Sequence, residues 1–183
     1  PQFSPPESMI YVFKQWLVSV KQYALMCLLL SGPDRLVVNL HNILLSLFCY
    51  CLIGFALVDE QRSYLTIIMQ IGLELVLLTL VSYIGLSRIN LLSRLPQTFS
   101  ALLGVNIIIS VVSIPVYRFL VQDFNAQGEP NSTALNITMV VIFWNLAVMS
   151  QIFKQAFNIN TLPAASISFI YFLVFQFTVF WLF

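Results

Sequence analysis

Five stretches of this chain are each apolar enough, over about 20 residues, to cross a bilayer as a helix. They cover roughly residues 36–58, 64–86, 98–120, 135–153 and 164–183. In hydrocarbon every backbone N–H and C=O must be bonded within the segment, so runs of this length can only be helices. Composition agrees: 60% of the 183 residues are hydrophobic and 8% are charged, against about 25% charged in a soluble domain. The expected fold is an all-α polytopic integral membrane protein. A tail and amphipathic helix occupy residues 1–35, and a five-helix transmembrane domain occupies 36–183. The net charge of +1 and scattered basic residues argue against nucleic-acid binding. Membrane lipids and other integral membrane proteins are the expected partners.

Residues 9–30, "MIYVFKQWLVSVKQYALMCLLL", differ from the five runs. Lys14 and Lys21 lie seven apart, hence on one helical face, with Gln15 and Gln22 beside them. Tyr11, Trp16 and Tyr23 are aromatics of the kind found at headgroup depth. The pattern predicts a helix lying in the interface, ended by "SGPDR". Cytoplasmic loops collect Lys and Arg. With the N-terminus inside, Lys14, Lys21, Arg35, Arg88, Arg94 and Lys154 all fall on the cytoplasmic side, leaving Arg62 and Arg118 outside. The acidic residues Asp59, Glu60, Asp123 and Glu129 then also fall outside. The C-terminus is then expected to be extracytoplasmic.

The run 67–86, "IIMQIGLELVLLTLVSYIGL", carries Glu74 near its middle. A charged side chain at a helix centre costs about 2.5–3.5 kcal/mol on insertion scales. Protonation or polar neighbours lower that cost. Gln70 and Thr66 precede Glu74 at four-residue steps and are expected on its face. Asn106, Asn145 and Gln176 sit at comparable depth in the last three runs. Two roles follow for this set: hydrogen-bonded glue between helices, or a proton relay. The lack of a second ionisable residue at that depth favours glue.

Other candidates carry less. His41 is the single histidine, too few for a protein-built zinc site, and is expected to bond at the interface. Cys49 and Cys51 point about 200° apart on a helix, so with Cys27 they read as apolar thiols. Pro115 removes a backbone bond and is expected to kink its helix, with Ser110 and Ser113 bonding the freed carbonyls. Gly72, Gly85 and Gly104 permit close helix approach. No nucleophile–base pair, phosphate loop or metal motif is present, so no catalytic residue, cofactor or enzymatic activity is expected.

The segments "RLPQTFSALLGVNIIISVVSIPV" and "FWNLAVMSQIFKQAFNINTLPAASISFIYFLV" resemble Yip1-domain membrane proteins over about residues 94–183. In that family an amphipathic approach leads into a proline-containing helix, and a Trp-containing span ends in a short polar turn before the last helix. The turn "FKQAFNINTLP" departs from the more basic, glycine-containing turn of similar bacterial members. The resemblance implies five spans, a partner-binding role and a place in a bacterial inner membrane. The expectation is thus a non-enzymatic accessory, scaffold or assembly subunit. The alternative is a small proton-coupled carrier, with Glu74 titrating and Asn106, Asn145 and Gln176 along its path.

Overall fold

The computed structural model describes residues 5–36, 38–56, 63–127 and 132–182, without the side chains of 5–13, 117 and 119–127. Helices and short connecting turns make up those residues, with no strand among them. The helices are α1 (Pro5–Cys27), α2 (Leu40–Ala56), α3 (Tyr64–Arg88), α4 (Leu95–Gln127), α5 (Ser132–Phe157) and α6 (Thr161–Leu182). Single 3-10 turns at Pro33–Arg35 and Leu92–Arg94 lead toward α2 and α4. Four segments are long and apolar enough to cross a membrane: α3, Leu92–Val116, α5 and α6. α2 is apolar but has 17 residues, about 26 Å at 1.5 Å per residue. It begins at Leu40, four residues later than expected, because Pro33–Arg35 forms a separate turn and Leu36 is extended.

α4 is the hub of the bundle. Of its apolar window 44% is buried, against 17% or less for the other three. Residues 101–106 are buried on every side, as befits a helix surrounded by α1, α2, α3 and α5. Leu102, Val105, Val148, Phe153 and Leu86 form the packed core with Met26 and Cys27. α4 also runs on through Gln127, so "QDFNAQ", expected as loop, continues the helix.

α2 is turned inside out relative to a helix in water. Its buried residues are Asn42, Ser46 and Tyr50, spaced by four and therefore on one face. Leu40, Leu44, Phe48 and Leu52 point outward and are exposed. A soluble helix buries its apolar stripe; lipid outside reverses the preference, because polar groups then gain by facing protein.

α1 is packed more deeply than an interfacial helix predicts. Ser19, Tyr23, Met26 and Cys27 are buried, while Lys14 and Lys21 stay exposed. The Tyr23 hydroxyl is 2.8 Å from Ser100 Oγ, so this aromatic serves the interior instead of the headgroup layer. A Cβ on Gly104 would overlap the Tyr23 ring, and one on Gly85 would overlap Phe157. These two glycines permit close approach as expected. Gly72 does not, since nothing lies within 4 Å of its Cβ position. Trp144 Nε1 donates to the Cys27 carbonyl at 2.8 Å, which pins the end of α1 to the middle of α5. Tyr11, Asp59, Glu60, Arg62, Asp123 and Glu129, used in the topology reading, have side chains outside the described set.

Three helices end alike. Leu29, Asn90 and Asn158 adopt positive φ. The following residues bond back five positions: Leu30 to Leu25, Leu91 to Leu86 and Ile159 to Lys154. This left-handed reversal caps otherwise orphaned carbonyls. Asparagine tolerates the conformation; leucine pays about 1–2 kcal/mol for it. Leu29 is 45% exposed and so has little packing to lose. Leu29→Gly should raise thermal stability in detergent by about 1 kcal/mol, read as an upward shift in the melting midpoint.

Candidate functional site

Glu74 sits midway along α3, where that helix meets α4 and α6. The Tyr50 hydroxyl, from the polar face of α2, donates to its carboxyl. Tyr171 of α6 stands near the same carboxyl from the other side. Glu74 opens on a cavity of about 270 Å³ between α3, α4, α5 and α6. That volume is near the lower edge of ligand pockets, about 300–1,000 Å³.

The cavity gathers Glu74, Asn106, Asn145 and Gln176 from four helices, and adds Tyr171, Ser110, Ser113 and Thr138. Four of the six polar residues singled out in the sequence therefore share one wall. Gln70 and Thr66 do not line it. Successive four-residue steps drift about 40° each around a helix, so Thr66 lies some 80° away from Glu74. Gln70 and Thr66 are half-buried elsewhere on α3. Sequence reasoning missed Tyr50 and Tyr171. Tyr50 was readable as the third member of the Asn42–Ser46–Tyr50 series. Tyr171 carried no distinguishing signal in a helix rich in aromatics.

Several wall groups are satisfied by their own helices. Ser113 Oγ donates to the Ile109 carbonyl at 2.7 Å, and Thr138 Oγ1 to the Ala134 carbonyl at 2.8 Å. The Ser113 bond does not reach Val111, whose carbonyl Pro115 would leave unpaired in a regular helix, so the expected rescue at the proline is not made. α4 continues as one helix through Pro115, which is exposed, with Ser113 and Val116 beside it on the cavity wall.

Other wall groups are not satisfied. Among the described residues, Asn106 Oδ1, Asn145 Oδ1 and the Tyr171 hydroxyl are buried without a hydrogen-bond partner. Each such atom costs about 1–3 kcal/mol. Three of them stand around this one cavity, while Asn42 Oδ1, Ser46 Oγ, Ser82 Oγ and Gln155 Oε1 lie off it.

The cavity is also lopsided. Its α4 lining runs from Asn106 to Val116 and its α5 lining from Met149 back to Thr138, so it fills the half nearer the α4–α5 connection. The other half is closed by Leu86, Leu102, Phe153 and Phe157, all buried. Small side chains at 110, 113 and 138 leave space where the packed half has leucine and phenylalanine. His41 is exposed in the first turn of α2, away from this wall. Among the described residues no three His, Cys, Asp or Glu side chains come together. Family models, curated proteins and solved structures offer no match to this chain.

The geometry predicts one-sided access. With Cys27, Cys49 and Cys51 replaced by alanine, Ser113→Cys should react with a small, membrane-impermeant methanethiosulfonate. Ser100→Cys, in the packed half, should resist under the same conditions. Equal reactivity at both positions would contradict the lopsided cavity.

Proposed function

We propose that this chain is a non-enzymatic integral membrane protein of five spans that works as a small proton-coupled carrier, with Glu74 as its titrating group. One observation carries the reading: Asn106, Asn145 and Tyr171 present unpartnered polar atoms beside the cavity that Glu74 enters. Side chains used only to fasten helices bond one another across the interface. Here the Tyr50–Glu74 and Tyr23–Ser100 pairs do so, while Asn106, Asn145 and Tyr171 each leave an atom unpartnered beside the cavity. A carboxyl at such a site exchanges a proton for a ligand, because the two compete for the same oxygens. Tyr50 holds the carboxyl in place through either state.

The apolar outer face of α2 supports counting it as the fifth span. Arg35, Arg88, Arg94 and Lys154 gather at one end, since Gln97 bonds the Leu36 carbonyl and Gly32 abuts Gln155. The positive-inside rule makes that end cytoplasmic, so the N-terminus is inside and the cavity faces the extracytoplasmic half.

A second reading rests on Gln70. This half-buried amide lies off the cavity. An intramembrane carboxamide of that kind suits a partner helix. It accords with the Yip1-like pattern of residues 94–183 and with an accessory subunit docked on other proteins of a bacterial inner membrane.

Reconstituted into liposomes with a trapped pH dye, the protein should move protons when amines, sugars or carboxylic acids are offered in turn. At least one class should elicit the response, and Glu74→Gln should abolish it while leaving helicity unchanged. No response to any class, together with loss of a co-purifying membrane protein in Gln70→Leu, would favour the accessory reading.

A further inference from the structure

The cavity wall is one-sided in charge. The Glu74 carboxyl is its acidic group, and Asn106, Asn145, Gln176 and Ser110 bring neutral groups that both donate and accept. Beside it Asn106 Oδ1, Asn145 Oδ1 and the Tyr171 hydroxyl are buried without a partner. Among the described lining residues none is Lys, Arg or His. Phe172 and Phe175 supply an apolar flank.

From this arrangement we propose that the cavity binds small organic cations: a protonated amine on a short apolar body. An ammonium offers three N–H donors to the Glu74 carboxylate and the amides beside it, and supplies the positive charge that a carboxylate in an apolar bundle lacks. Its hydrocarbon part lies along Phe172 and Phe175, where an aromatic face also favours a nearby cation. An anion would meet Glu74 with no compensating charge. A neutral alcohol brings one donor and leaves the carboxylate charge unbalanced. This assignment rests on the carrier reading above and names its substrate class.

Charge balance fixes the coupling. When the amine binds as a cation, the proton on the Glu74 carboxyl leaves, so one positive charge enters as one departs. The titratable groups facing Glu74 are Tyr50 from α2 and Tyr171 from α6; α4 and α5 present the amides Asn106 and Asn145, which do not titrate. Competition between proton and amine makes binding weaken about tenfold for each unit of pH below the carboxyl's titration.

Calorimetric titration of the full chain in detergent, using three isosteric probes, tests the assignment. Phenethylammonium should bind with release of a proton, 2-phenylethanol at least about tenfold more weakly, and phenylacetate not measurably. Glu74→Gln should lose the pH dependence. Asn145→Leu separates a site from a structural role. It removes a buried, unpaired acceptor and should preserve or raise the melting temperature, yet weaken amine binding several-fold. Equal binding of the alcohol, or preferred binding of the carboxylate, would overturn the cation assignment and leave the carrier reading in place. No binding of any probe would overturn the cation assignment, and if Asn145→Leu is also less stable than the parent the carrier reading falls with it.

Discussion

The hydrogen bond between Tyr50 and Glu74 joins two helices at the point where a carboxyl enters an apolar bundle. A carboxyl there is expensive unless its oxygens are engaged, so α2 must hold a donor opposite α3. That requirement explains the inverted face of α2. Once Tyr50 turns inward, Ser46 and Asn42 follow one and two turns below, and Asn42 Nδ2 approaches Ser19 Oγ of α1 at 3.4 Å. Polar matter is thus carried inward along one helix, and the leucines and phenylalanine of the opposite face are left for lipid.

The same bundle is solid at one end and hollow at the other. In the solid half, glycines at 85 and 104 admit aromatic rings directly against helix backbones, and α1 wedges its buried C-terminal turns against α4. In the hollow half serine, threonine and asparagine are interspersed among the apolar positions of the wall. Space there is a consequence of residue choice and not of loose packing, since Met149 and Ile109 at the boundary are buried. Asn106 and Asn145 stand at the border between the two halves, on the wall of the cavity.

Much of this was legible in the sequence. Apolar run lengths marked the long helices, and depth alone singled out Glu74, Asn106, Asn145 and Gln176, because any polar group in mid-span is conspicuous. What failed did so for specific reasons. Gln70 and Thr66 were assigned to the Glu74 face by counting fours, which neglects the rotation that accumulates along a helix. Tyr23 was read as a headgroup aromatic because its chemistry suits both headgroups and a buried serine; only Gly104, eighty-one residues later, provides the room that decides between them. The extension of α4 through Gln127 was hidden by polar side chains that helices tolerate well outside hydrocarbon.

Leu29, Asn90 and Asn158, the three left-handed reversals, all lie at the solid end. Each closes off the last turn of its own helix with a backbone bond. Chain reversal at the packed end is thus written into backbone geometry, and it draws no side chain away from the core.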